Sequence, residues 1–240
     1  MIHALLLSAS KADNTGYLEH AIPLISDFLA LNNTTTPLSV IFVPYAGVTI
    51  TFDEYTQRVK DALSALPLSI SGIHEHDDQA GAIKNADVVL VGGGNTFALL
   101  DRMYQHDLIS VIKDAVASGV KYIGWSAGSN LAGLSIKTTN DMPIVAPPSF
   151  DALGLLPIQI NPHYTDFVPP GHHGETRQMR LEEFMVLEPN MPVIGIQEGT
   201  ALHIANNNID LVGPKSGYLF KGGKKHELAA NTRLNEWINR

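Results

Sequence analysis

The chain has 240 residues, with 16 Lys and Arg against 24 Asp and Glu for a formal net charge of -8. Hydrophobic residues make up 45% and charged residues 17%, so neither a disordered nor a fibrous chain is expected. The acidic balance argues against nucleic acid as a partner, which would need clustered Lys and Arg, and the absence of cysteine removes disulfides, thiolate metal centres and a thiol nucleophile.

This length buries a full core as one domain, expected to span 1–240. The first apolar run, Ile2 to Leu7, has no basic segment before it and stops at Ser8-Ala9-Ser10-Lys11, so it is predicted to be a strand rather than a targeting signal. Further β-branched runs at Leu38 to Val43, Leu68 to Ile73, Val88 to Val91 and Val120 to Trp125 fall far short of a bilayer span. Helical spacing over Leu18 to Leu31, Asp53 to Leu66 and Thr96 to Ala117 separates them. Alternation of this kind predicts a three-layer α/β fold, a mostly parallel sheet with helices on both faces. After Asn130 seven prolines crowd a loop-rich stretch from Pro143 to Pro170. A helix returns over Glu175 to Leu187, and short runs from Val193 to Phe220, split by Asn- and Gly-rich turns, are predicted as antiparallel ribbons finishing the sheet. A soluble, cytoplasmic protein without membrane contact is expected.

Gly124-Trp125-Ser126-Ala127-Gly128 ends the fifth strand and opens a helix-compatible run. That is the setting of a nucleophile elbow, in which flanking glycines remove Cβ atoms from a strained turn and the serine hydroxyl projects at the sheet's carboxyl edge. The N–H of Ala127 would then help hold an oxyanion. Gly92-Gly93-Gly94-Asn95-Thr96 closes the preceding strand, and Gly93 or Gly94 could supply a second donor; it has neither a dinucleotide fingerprint nor a phosphate-loop lysine.

A serine needs a base, and of 10 histidines His163, in Asn161-Pro162-His163, stands at the end of an apolar run in the loop-rich region. Two acids compete to orient it: Glu198, at the strand end Ile194-Gly195-Ile196-Gln197-Glu198-Gly199, and Asp141, before Met142-Pro143. The order Ser126, His163, Glu198 differs from that of an α/β-hydrolase and is the order of the amidotransferase-like fold.

Taken together, Gly92-Gly93-Gly94-Asn95-Thr96, Gly124-Trp125-Ser126-Ala127-Gly128, Thr139-Asn140-Asp141-Met142-Pro143, Asn161-Pro162-His163 and Gly174-Glu175-Thr176-Arg177 resemble the peptidase E family of aspartyl dipeptidases. Leu18-Glu19-His20-Ala21 and Pro44-Tyr45-Ala46-Gly47-Val48-Thr49 extend the likeness over nearly the whole chain. The resemblance implies a flavodoxin-like sheet related to class I glutamine amidotransferases, with serine in place of their cysteine. It further implies a Ser126, His163, Glu198 triad with Asp141 nearby, no metal and no cofactor, and a small peptide with an N-terminal aspartate as substrate. Arg177 would anchor the substrate carboxylate through two parallel hydrogen bonds, with Asn95 also in the binding site. A monomer or homodimer is expected. Ser129, where relatives often carry alanine, and His173, where a lysine is familiar, depart from the pattern.

Three other readings compete. His163, His172, His173 and Glu175 lie close in sequence and could form a metallohydrolase centre, although their spacing matches no metal motif. A related serine amidase, like a cyanophycinase, would act on aspartyl polymers. A non-catalytic small-molecule binding protein would keep the pocket without a triad.

Overall fold

The computed structural model describes residues 1–31, 36–171 and 173–239. Its first half alternates strand and helix as the periodicity predicts. Strands β1 (Ala4–Leu7), β2 (Leu38–Val43), β3 (Leu68–Gly72), β4 (Val88–Val91) and β5 (Lys121–Trp125) alternate with helices α1 (Ile22–Leu29), α2 (Phe52–Ala62), α3 (Gln79–Lys84), α4 (Thr96–Gln105) and α5 (Leu108–Ala117). The helix starts are written in side chains. Thr51 and Glu54 form a reciprocal capping box on α2, and Asn95 caps α4 by accepting from Ala98 N–H.

The single helix predicted over Thr96 to Ala117 is two helices. Asp107 takes a left-handed φ of 54° between them, which ends α4 and lets α5 leave in a new direction. Beyond the elbow follow α6 (Ala127–Leu131), β6 (Gln159–Asn161), α7 (Arg177–Leu187), β7 (Val193–Ile196), β8 (Ala201–Ala205), β9 (Asn208–Val212), β10 (Gly217–Lys221), β11 (Lys224–Leu228) and α8 (Asn235–Asn239).

Seven strands form the main sheet in the order β3-β2-β4-β5-β1-β8-β9: the first five pair in parallel, β8 is antiparallel to β1, and β9 is antiparallel to β8. Side chains along these strands alternate between two cores. Leu5, Leu7, Val40, Phe42, Ile123 and Trp125 bury against α1 and α2, whereas Leu6, Ile41, Val43, Val89, Val91 and Tyr122 bury against α3 to α6. Both faces are therefore covered by helices.

The tail does not simply finish this sheet, as its alternation suggested. Only β8 and β9 do so; β7, β10 and β11 join β6 in a separate four-stranded sheet, ordered β11-β10-β7-β6. Strand β6 is too short and too close to prolines to stand out from its loops in the sequence, yet it makes β7 part of this second layer through parallel pairing of Ile160 with Ile194. Among the described residues no helix is long and apolar enough to cross a membrane.

Candidate active site

Strand β5 passes into α6 through one residue, Ser126, with φ 53° and ψ −114°. A side chain is strained at this φ, so the surrounding structure must enforce the bend. Close packing does so. A Cβ on Gly124 would come 2.5 Å from the Gly128 carbonyl oxygen, and one on Gly128 would collide with the carbonyl of Val91 on β4. The buried Ser129 hydroxyl lies 2.6 Å from the Leu7 carbonyl and 2.9 Å from that of Gly124, tying α6 to β1 and β5. Ser126 Oγ is thereby presented at the carboxyl edge of the parallel strands, where open α/β sheets bind ligands.

His163 comes from the second sheet, two residues past β6, and also has a positive φ, 54°. Its backbone N–H donates to Ser8 Oγ at 2.9 Å, and the fully buried Ser8 hydroxyl donates to the Ile196 carbonyl at 2.8 Å. One serine at the end of β1 therefore holds both the histidine loop and the end of β7. The His163 side chain bridges the two remaining groups, with Nε2 2.8 Å from Ser126 Oγ and Nδ1 2.7 Å from Glu198 Oε1. A carboxylate only accepts, so Nδ1 carries the proton and Nε2 turns its lone pair to the serine hydroxyl.

Of the two competing acids, Glu198 is the one bonded to the imidazole. Asp141 Oδ2 accepts instead from the Thr96 N–H at 2.8 Å and the Thr96 hydroxyl at 2.6 Å, at the start of α4. Gly93 packs against the elbow: a Cβ there would sit 3.0 Å from Ser126 Cβ. Gly94 has φ +138°, and the space its Cβ would need is taken by the Ala46 carbonyl, so only glycine fits. Among the described residues the backbone N–H groups of Gly93, Gly94 and Ala127 make no hydrogen bond to a backbone carbonyl in the turns and loops.

Asn95 also borders the cleft, but its side chain is committed. Its Oδ1 accepts from Ala98 N–H at 3.0 Å and its Nδ2 donates to the Met142 carbonyl at 2.9 Å. Arg177 is the first residue of α7, behind the N-cap Thr176. It is half-buried: burial pushes its guanidinium pKa down and Arg180 adds to this, while the negative charges of Glu198 and Asp141 oppose it. Arg180 pairs with Glu175 at 3.6 Å, whereas among the described residues Arg177 makes no ion pair. Its head borders a hollow of about 240 Å³ shared with Asn140 and Arg180. Ser126 and His163 lie in the wall of a larger cleft of about 480 Å³.

Two contributors escaped sequence reasoning. Ser8 is a polar residue at the end of a wholly apolar strand, a faint signal of a buried polar role at the sheet edge. Tyr55 looks like a core residue of α2, yet its hydroxyl donates to the Gly93 carbonyl at 2.8 Å and fixes that peptide beside Ser126. Of the four residues named as possible metal ligands, His172 lies outside the described residues; both ring nitrogens of His163 are engaged, and Glu175 pairs with Arg180. No cluster of three or more metal-ligating side chains occurs among the described residues.

Comparison with known proteins agrees with the fold and the motifs. The model of peptidase family S51 matches residues 4–212. Proteins named peptidase E from Shewanella amazonensis and Shewanella denitrificans are each 52% identical to the chain over 238 residues, covering 99% of both sequences. Among solved structures, a protein provisionally called peptidase E from Listeria monocytogenes superposes with a TM-score of 0.69 at 23% identity, covering 90% of this chain and 100% of that one. A peptidase from an acI-B1 Actinobacterium gives 0.67 at 17% identity, covering 97% and 96%. These two likenesses establish the fold, and the near-complete match in sequence establishes the family: the chain belongs to peptidase family S51 and is a serine peptidase.

Proposed function

We propose that the enzyme is a dipeptidase that releases an N-terminal aspartate from Asp-X substrates, using Ser126 as nucleophile, His163 as base and Glu198 as the group that orients and stabilises the imidazole. The observation that carries this is the continuous relay of 2.8 Å and 2.7 Å contacts from Ser126 Oγ through His163 to Glu198.

Ser126 Oγ attacks the peptide carbonyl carbon while its proton passes to His163 Nε2. The resulting oxyanion is held by the N–H groups of Ala127 and of Gly93 or Gly94. Collapse breaks the C–N bond, with the proton on Nε2 transferred to the leaving amine. Water, deprotonated by His163, then cleaves the aspartyl ester and restores the hydroxyl. Glu198 stabilises the imidazolium throughout, and Asp141 is assigned to support of α4 rather than to the relay.

Aspartyl specificity is assigned to Arg177, a guanidinium half out of water, without a carboxylate partner among the described residues and within the electrostatic reach of Glu198. The β-carboxylate of aspartate supplies the missing anion in a fork-matched geometry. The test is wild type against Ser126→Ala on Asp-Ala with free aspartate as product: loss by about 10⁴-fold or more is expected. In the same assay Asn-Ala and Glu-Ala should fall about 100-fold or further below Asp-Ala, and equal rates would remove the role of Arg177.

A further inference from the structure

The cleft that contains Ser126 and His163 has a wall that the aspartyl reading leaves unused. Arg58, on the exposed face of α2, lines it together with Tyr17 and Tyr55. It is the one lysine or arginine among the described residues that does. Its guanidinium carbon stands 6.0 Å from the centre of the Tyr17 ring, and the Tyr17 ring packs edge-on to Trp125 at 6.5 Å, next to Ser126 in the chain. The cation, the two rings and the nucleophile thus line one cleft.

Glu54, one helical turn before Arg58, feels its charge without forming a close ion pair: Glu54 Oε2 is turned to the capping box, accepting from the Thr51 N–H at 3.1 Å and the Thr51 hydroxyl at 2.8 Å. No ion pair joins Arg58 to any carboxylate among the described residues. Tyr17 cannot serve as an anion, because burial pushes its phenol pKa far up and the Tyr55 hydroxyl adds to the effect, so it stays neutral.

We propose that Arg58 binds the free α-carboxylate of the residue on the leaving side of the scissile bond, so that the cleft selects dipeptides over longer chains. The inference rests on the assignment of Ser126 as nucleophile. His163 must reach the leaving amine, and the cleft that His163 shares with Arg58 is separate from the hollow that Arg177 borders. One extended residue covers roughly 3.3–3.6 Å, so in a dipeptide the terminal carboxylate falls within the cleft itself, whereas a third residue would put a neutral amide there instead. An Asp-X substrate, with its two carboxylates, would then be held at both ends, its β-carboxylate toward Arg177 and its α-carboxylate toward Arg58.

The experiment compares Asp-Ala with Asp-Ala-amide in wild type, Arg58→Ala and Arg58→Lys, with released aspartate measured. Wild type is expected to favour the free acid by about tenfold to hundredfold in kcat/KM, mainly through KM. Arg58→Ala should bring that ratio near one by losing rate on the acid alone, and Arg58→Lys should restore part of it. The amide rate reports on folding and on the chemical step in every variant. A wild-type ratio of one, or an equal loss on both substrates in Arg58→Ala, overturns the proposal while leaving Ser126 as nucleophile. Failure of wild type to release aspartate from either substrate overturns the aspartyl reading itself, and this inference with it.

Discussion

Glu198 and Asp141 carry the same functional group, and sequence could not rank them because both stand beside turn-forming residues within reach of a loop-borne histidine. Their partners separate them. Glu198 meets the Nδ1 side of His163 at 2.7 Å, where it fixes the tautomer and offsets the charge of the imidazolium. Asp141 accepts two hydrogen bonds from Thr96, one of them from a backbone N–H at the first residue of α4. The two conservative amides should therefore fail differently. Glu198→Gln is expected to lower kcat by about 10³- to 10⁴-fold with little change in the urea midpoint, since the packing is kept while the charge and the tautomer preference are lost. Asp141→Asn is expected to cost about 1–2 kcal/mol of stability, with kcat within about tenfold of wild type. Steady-state kinetics beside urea unfolding of both variants checks this, and the reverse pattern would return the relay to Asp141.

At the level of elements, the nucleophile and its base are delivered by different sheets, and Ser8 is where they meet. The hydroxyl at the end of β1 accepts from the His163 N–H and donates to the Ile196 carbonyl on β7, both in fully buried surroundings on the Ser8 side. Removing it leaves the His163 N–H without a partner and the Ile196 carbonyl with only the Tyr164 N–H at 3.0 Å, which costs about 1–3 kcal/mol in mutational experience. It also frees a histidine held at a positive φ to relax. Ser8→Ala is expected to lower the urea midpoint accordingly and to reduce kcat more than it alters KM, because Arg177 and the cleft walls are untouched. A variant with normal kcat would mean that the imidazole is fixed from Glu198 alone. The elbow was legible in sequence because its chemistry is local: Gly124 and Gly128 are adjacent to the serine they accommodate. Ser8 was not, since its two partners lie 155 and 188 residues away. The split of the predicted Thr96 to Ala117 helix was equally hidden, because apolar spacing runs through Asp107 and only its φ marks the break.

Across the whole molecule, the main sheet was legible because buried parallel strands read as continuous apolar runs, and helices between them leave few alternatives. The second sheet was not, because β6 is three residues long and its neighbours in space are far apart in the chain. That sheet nevertheless carries the histidine loop, so its outer hairpin should matter to the integrity of the site. Lys225 on β11 makes the link: its ammonium reaches Asp166, three residues past His163, and lies 4.3 Å from the centre of the Tyr218 ring and 5.4 Å from that of Tyr164. The Tyr164 hydroxyl donates to Asp166 at 2.6 Å. Burial alone would raise the Asp166 pKa, but the hydrogen bonds from Lys225 and Tyr164 outweigh it and hold the pKa below the usual carboxylate range. A depressed folded-state pKa contributes stability above the unfolded value of about 3.9, and that contribution disappears as pH falls through the folded value. Between about pH 6 and 5 the link should be intact, and from about pH 4 downward its loss should steepen the fall in stability. Asp166→Asn removes the titrating group, so its urea midpoint should be lower than wild type near pH 6 and the gap between the two should narrow below about pH 4. Urea midpoints of both proteins across that range provide the measurement; a gap that stays constant with pH would mean that Asp166 contributes through shape alone, and that the second sheet holds His163 without help from this charge.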